Sequence, residues 1–224
     1  MKLHTETEEN YLKCILRHAQ PGELVSTNTI ANDLGTTAAS VTDMLKKLND
    51  KGYVKYTRYR GVTLTETGKK IALHIVRKHR LWEVFLVEKL GFSWDHVHEV
   101  AEQLEHIDSP ELIRRIDAFL GYPKFDPHGD PIPSESGEIA ERDTILLADL
   151  DPGQTARVAG VVRTDPEFLQ YLERVGLRLD AEVVMVEHLT FDHAVQVRVG
   201  DRVAMLGGAV ARNLLVIRYD PDQP

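Results

Sequence analysis

Ser26-Thr27-Asn28-Thr29-Ile30-Ala31-Asn32-Asp33-Leu34-Gly35-Thr36-Thr37-Ala38-Ala39-Ser40-Val41-Thr42-Asp43-Met44-Leu45-Lys46-Lys47-Leu48-Asn49 contains two short helical patterns around one glycine. The first, Ser26 to Leu34, opens on a Ser or Thr cap, presents Ile30, Ala31 and Leu34, and stops at Gly35. Thr36-Thr37 turns into the second, Ala38 to Asn49, with Val41, Met44, Leu45 and Leu48 inward. A helix, a short Gly-containing turn and a second helix form the helix-turn-helix pattern. Upstream, Thr5-Glu6-Thr7-Glu8 reads as a capping box opening a helix with Tyr11, Leu12, Ile15 and Leu16 inward, ending near Gln20-Pro21-Gly22. Downstream, Tyr53 to Tyr56 and Val62 to Thr65 are short β-type runs around Thr57-Arg58-Tyr59-Arg60-Gly61, a basic hairpin that supplies the wing of a winged helix.

In such a module the first turns of the second helix enter a major groove. That places Thr37, Ala39, Ser40, Thr42 and Asp43 near base edges, with Lys46, Lys47, Arg58 and Arg60 on phosphates. The same geometry occurs in proteins that never touch DNA, and Lys46-Lys47 alone is an ordinary solvated pair. Charge favours DNA. The chain has 224 residues and a net charge of −8. Residues 1–73 carry 11 Lys and Arg against 8 Asp and Glu, whereas the other 151 carry 16 against 27. Nucleic-acid contact therefore belongs to the amino-terminal third, and the acidic remainder disfavours non-specific polyanion binding by the whole chain.

From Glu66-Thr67-Gly68 a helical pattern runs to about Lys89, more apolar than one small domain needs; a two-fold helix interface would bury Trp82, Phe85 and Leu86 as well as a core does. Gly91-Phe92-Ser93-Trp94 breaks the pattern, and Ser93 can cap the next helix. That helix holds Val97-His98-Glu99-Val100-Ala101-Glu102-Gln103-Leu104-Glu105-His106. On an α-helix His98, Glu102, Glu105 and His106 project from roughly a 100° arc, where a core stripe would be apolar. His79 and Glu83 repeat the device at i and i+4 one helix earlier. Each pair alone is an ordinary surface pair. Six candidates in two clusters point to a metal site, and carboxylates with imidazoles suit Mn²⁺, Fe²⁺ or Zn²⁺.

Two near-matches to zinc-protease motifs, His98 to Glu102 and Glu102 to His106, both fail at Glu102, where a second imidazole is needed to leave an open position for an activated water. A carboxylate there predicts a closed site that holds an ion, and no enzyme. Ser109-Pro110 starts a further helix with Leu112, Ile113, Ile116 and Leu120 inward, and Gly121 to Gly137 is a Pro- and Gly-rich link. The remainder changes period: Ala181 to Leu189, Ala194 to Val199 and Leu214 to Tyr219 are strand-like, with one short helix at Pro166 to Arg174. The expected fold is mainly α with a β-rich carboxy-terminal domain: a winged helix-turn-helix (1–73), a helical dimerisation and metal-binding domain (74–140) and a β-domain (141–224). There is no run of eighteen apolar residues and no apolar leader after Met1, so a cytoplasmic protein without membrane contact is expected. The single cysteine, Cys14, reads as a buried structural thiol.

Glu9-Asn10-Tyr11-Leu12, Lys78-His79-Arg80-Leu81, Glu83-Val84-Phe85-Leu86, Val97-His98-Glu99, Leu104-Glu105-His106 and Pro127-His128-Gly129, in this order of domains, resemble the diphtheria-toxin-repressor family of metal-dependent bacterial repressors, and specifically its manganese-responsive branch. The resemblance covers nearly the whole chain. It implies a dimer that binds a palindromic operator when metal is bound, a third domain of the SH3-like, FeoA-type small β-barrel kind, and two metal sites per subunit. Carried over, the primary site uses Asn10, Glu102, Glu105 and His106; His79, Glu83 and His98 form the second, with Asp165 as the acid from the third domain. Iron-sensing members have Met and Cys where this chain has Asn10 and Glu102; manganese-sensing members have Asp and Glu. Glu102 thus implies a hard-ion site, whereas Asn10 matches neither branch: either its amide oxygen binds or Glu9 contributes instead.

An ion bound by the first helix and the 98–106 segment would tie the reading head to the dimer core and set two recognition helices about one DNA turn apart, roughly 34 Å. Metal and DNA would then raise each other's affinity by one factor. The expected function is a Mn²⁺-activated dimeric repressor of metal-uptake genes. An Fe²⁺ sensor, or a winged-helix regulator answering a non-metal ligand, is the alternative. Zn²⁺ binding in vitro would not discriminate, because intrinsic affinity places Mn²⁺ below Fe²⁺ and Zn²⁺.

Overall fold

The computed structural model describes residues 4–219. They divide into two compact units: residues 4–82 with 102–119 and 132–139, and residues 83–101 with 120–131 and 140–219. The helical stretch expected over 74–140 contributes residues to both units.

In the first unit α1 (Glu6–His18) opens on the capping box: the Glu8 amide donates to Thr5 Oγ1 and the Thr5 amide donates to the Glu8 carboxylate, both at 3.2 Å. α2 (Thr27–Asp33) and α3 (Ala38–Asp50) carry the caps the turn chemistry demands, Ser26 accepting from the Thr29 amide and Thr37 from the Ser40 amide. The wing is the antiparallel pair β1 (Val54–Thr57) and β2 (Gly61–Leu64), extended by a bridge from Val62 to Val25. Gly61 has φ 131°, and a Cβ there would lie 2.7 Å from the Val25 carbonyl oxygen, so only glycine lets the hairpin close on that bridge.

The core of this unit is built on Leu12, Ile15, Ile30, Val41, Leu45, Leu48, Val54 and Val62. Glu8, fully buried, joins α1 to α3 by accepting from Lys47 and Lys51, each at 2.8 Å. α4 runs from Glu66 to Leu90. Thr65 fastens its start, donating its hydroxyl to the Gly52 and Tyr53 carbonyls and accepting from the Gly68 amide.

The second unit is dominated by a six-stranded antiparallel sheet in the order β3-β8-β4-β5-β6-β7. Its strands are β3 (Ile145–Leu146), β4 (Thr155–Val161), β5 (Glu182–His188), β6 (Val195–Val199), β7 (Arg202–Leu206) and β8 (Leu214–Arg218). Irregularities between Val158 and Gly160 and between Met185 and Glu187 increase the local twist. Leu147, Leu150, Leu169, Leu172, Val183, Met185, Val197, Leu206, Leu214 and Val216 fill its core. Three strands of the sheet lie outside the strand-like runs picked out above: β3, β4 and β7. β4 ends in four consecutive buried residues, Val158 to Val161, so its second half shows no alternation for a period-2 reading to find.

Two further elements differ from expectation. α5 begins only at Val97, after a turn in which the His96 amide donates to the Ser93 carbonyl, so Ser93 does not cap it. α5 also ends at Leu104, and Glu105 and His106 lie in the turn that leads to α6 (Pro110–Phe119). Pro110 cannot donate to a preceding turn, which favours a break before it. The single helical face expected to carry four ligands is therefore cut short. α7 (Pro166–Val175) matches the expected short helix to one residue, and α8 (Gly208–Ala211) precedes β8.

Candidate metal centre and nucleic-acid interface

In the first unit the side chains of α1, α4 and the 102–106 segment converge. Glu105 is fully buried and accepts from His79 Nδ1 at 2.6 Å and from Lys13 Nζ at 2.6 and 2.8 Å. Burial alone would raise its pKa, but the His79 hydrogen bond and the Lys13 charge outweigh this and hold it below the ordinary carboxylate value. Lys13 also lies 3.5 Å from Glu102, whose side chain is half exposed.

His106 Nδ1 lies 2.6 Å from Glu9 Oε2. A carboxylate can only accept, so Nδ1 carries the proton. In the neutral ring the lone pair is then on Nε2, which faces Glu105 Oε1 at 3.7 Å. This is the carboxylate–imidazole arrangement that orients a metal-binding histidine. Glu9 thus positions His106, while Asn10, half-buried beside it, takes no part in these bonds. Glu102, Glu105 and His106 supply two carboxylates and one imidazole, donor types that suit a hard or borderline divalent ion.

In the second unit Glu83, 2% exposed, accepts from His98 Nδ1 at 3.2 Å. Glu83, Asp126 and His128 are all buried, with one donor atom each within 4.8 Å of the others. The Asp126–Asp130 turn shapes this group: Asp126 Oδ1 accepts from the His128 and Asp130 amides at 2.8 and 3.0 Å. Gly129 has φ +90°, and a Cβ would lie 2.2 Å from the Ala159 carbonyl oxygen, so the turn packs against β4 only with glycine. His128 Nε2 donates to the Trp94 carbonyl at 2.7 Å. In the neutral ring its Nδ1 lone pair therefore faces Glu83 and Asp126, each at 3.9 Å. A buried lone pair beside two carboxylates is an environment that favours a cation.

Asp126 and His128 escaped the sequence reading as ligands because they lie in a stretch whose prolines and glycines read as a link. The available signal was Asp-Pro-His-Gly-Asp, a turn motif carrying donors. Asp165 caps α7 through the Phe168 amide at 3.2 Å and accepts from Arg163 at 2.9 Å. His79 and Glu83 sit one turn apart on α4, as the spacing requires.

The reading face is exposed as a groove-entering helix requires. Thr37, Ala39, Ser40, Asp43, Lys46 and Lys47 are exposed, and Thr42 is half-buried with its hydroxyl donated to the Ala38 carbonyl. Lys46 pairs with Asp43 at 3.0 Å, and Lys47 is held by Glu8, so both exchange an existing partner for any phosphate. At the wing Arg58 stacks on Tyr59, which is 88% exposed, and Arg60 is exposed beside it. Among the described residues no helix is long and apolar enough to cross a membrane.

Three family models match the chain: the N-terminal DNA-binding domain of iron-dependent repressors over residues 3–62, their metal-binding and dimerisation domain over 65–134, and a FeoA domain over 145–218. The iron-dependent repressor IdeR of Mycobacterium tuberculosis (strain ATCC 25618 / H37Rv) is 33% identical over 172 residues, 74% of either chain. The diphtheria toxin repressor of Corynebacterium glutamicum is 30% identical over 83% of this chain and 86% of its own. Among solved structures, a manganese-dependent transcriptional repressor in complex with manganese is similar at a TM-score of 0.79 and 36% identity, covering 95% of this chain and all of that one.

Proposed function

The chain belongs to the diphtheria-toxin-repressor family of metal-dependent regulators, and on that premise we propose that it is a Mn²⁺-activated, dimeric repressor of metal-uptake genes that binds a palindromic operator. It is a metal-dependent transcriptional repressor and not an enzyme. What carries manganese over iron is the donor set. Glu102 stands where iron-sensing members have Cys, so with Glu105 and His106 the primary group has no sulfur to favour a softer ion.

Asn10 is the fourth ligand in this reading, with Glu9 orienting His106 rather than binding. Glu83, His98 and His79 hold the second ion, and Asp126 and His128 are added as candidates for it. His79 bonds Glu105 through Nδ1, which leaves its Nε2 available to an ion. For Asp165 the geometry supports a helix cap, and each carboxylate oxygen keeps a lone pair for a ligand role beside it. When bound, the primary ion cross-links α1 to the 102–106 segment. Thr37, Ala39, Ser40, Thr42 and Asp43 then read bases, and Lys46, Lys47, Arg58 and Arg60 hold phosphates. The division into 1–73, 74–140 and 141–224 is supported by the spans of the three family models.

The test is binding to upstream DNA of metal-transporter genes at one fixed salt concentration, in chelator and then with Mn²⁺, Fe²⁺ or Zn²⁺. Binding that appears with Mn²⁺ and is lost in Glu105→Ala/His106→Ala supports the reading. Equal binding with chelator overturns it, and activation by Fe²⁺ but not Mn²⁺ transfers it to the iron branch. Asn10→Asp tightens Mn²⁺ binding if Asn10 is a ligand, and leaves it unchanged if it is not.

A further inference from the structure

A third group of donors lies apart from those above, within the DNA-binding module. Cys14 and His18 stand at i and i+4 on the last turns of α1, and Asp33 is the last residue of α2. One donor atom from each, Cys14 Sγ, a His18 ring nitrogen and an Asp33 carboxylate oxygen, lies within 4.8 Å of the other two. Cys14 is fully buried, whereas the His18 and Asp33 side chains are 34% and 20% exposed, which leaves an approach from solvent. His18 Nε2 is itself buried, 3.3 Å from Asp33 Oδ1, and makes no hydrogen bond. Arg17 holds the other oxygen, Oδ2, at 2.6 Å and turns Oδ1 towards the imidazole.

We propose that Cys14, His18 and Asp33 form a binding site for a thiophilic divalent ion, Zn²⁺ foremost, with Arg17 as the residue that positions the carboxylate. Thiolate, imidazole and carboxylate are three of the four ligands of a tetrahedral zinc site, and solvent at the His18 side supplies the fourth. Zinc–ligand bonds of about 2.0–2.3 Å set tetrahedral donors roughly 3.5 Å apart, so donors within 4.8 Å need to close by about 1.3 Å at most. Binding replaces the S–H bond of Cys14 with a sulfur–metal bond and releases one proton to solvent. A thiol must lose its proton to bind an ion, so ion affinity rises with pH.

A Zn²⁺ ion held by the thiolate staples the end of α1 to the first helix of the helix-turn-helix without entering the oxygen-rich groups that suit Mn²⁺. This site does not rest on the function proposed above.

Cys14 is the only cysteine of the chain, so any thiolate signal reports this site alone. Co²⁺ added to the full-length protein is expected to give a thiolate-to-cobalt charge-transfer band that stoichiometric Zn²⁺ abolishes, with one proton released per ion. The band disappears in Cys14→Ser, and His18→Gln weakens the affinity at least tenfold. It persists in Glu105→Ala/His106→Ala, which disables the primary group. Absence of the band at saturating Co²⁺ in the wild type overturns the proposal, as does a band unchanged in His18→Gln/Asp33→Asn. These two residues are partly exposed, so that variant keeps the test decisive even if Cys14→Ser does not fold.

Discussion

An ion bound at the proposed primary site would compete with Lys13 for Glu105, and Lys13→Met measures that competition. Its ammonium donates to both oxygens of Glu105 at 2.6 and 2.8 Å and lies 3.5 Å from Glu102, while its side chain is 14% exposed. An entering ion therefore takes its carboxylates from an existing cation. Hydrogen bonds to charged groups contribute about 1.5–3 kcal/mol each way of counting, and the lysine recovers part of this by moving its head to nearby solvent. A net competition of about 1–2 kcal/mol remains, so Lys13→Met should tighten Mn²⁺ binding roughly 5- to 30-fold. The metal-free variant should lose stability by about 1–3 kcal/mol, since the buried Glu105 carboxylate loses its ammonium partner. Calorimetric Mn²⁺ titration and thermal unfolding with and without Mn²⁺ read both quantities. Mn²⁺ affinity that is unchanged or weaker in the variant, alongside a lower metal-free midpoint, would refute the reasoning by making Lys13 a structural partner only.

Gly129→Ala should destabilise by at least about 2 kcal/mol, because the left-handed backbone and the 2.2 Å approach to the Ala159 carbonyl act together; an unchanged unfolding midpoint contradicts this. Arg77→Ala strands the carboxylate of Asp117, whose side chain and that of Arg77 are each 11% exposed, and should cost about 3–5 kcal/mol; Arg77→Ala/Asp117→Ala should recover part of the loss in a double-mutant cycle. Burial would raise the Glu8 pKa, but Lys47 and Lys51 bring it from 4.5 down to about 2. Its folded pKa lies below the unfolded one, so its contribution is present above about pH 4.5 and is lost as pH falls towards 2. Glu8→Gln should therefore lower stability at neutral pH and flatten the acid limb of the stability curve, and an acid limb equal to wild type counts against the Glu8–Lys47–Lys51 linkage.

The winged helix was legible because its signals are local. Capping residues, helical period and Gly35 act within a few positions, and α1, α2 and α3 begin and end within about two residues of where those signals place them. The donor types were legible for the same reason, since His79 and Glu83 need only share a helix. β4 and β7 lay outside the strand-like runs: β4 ends in four consecutive buried residues and β7 is largely exposed, so neither alternates.

The sequence by itself determined the reading head, the acidic remainder and the residue types able to hold an ion, because propensity, period and charge are properties of short stretches. Which donors meet was decided by tertiary structure. α5 stops at Leu104, so Glu105 and His106 leave the face they would have shared with His98 and join Glu9, Lys13 and His79 instead. Asp126 and His128 reach Glu83 only through a turn seated on β4, and Cys14 meets Asp33 only because α1 packs on α2. Periodicity fixes the direction of a side chain about its own helix axis; it carries no information on where that helix ends or which distant segment lies opposite, and a coordination site consists of those distances.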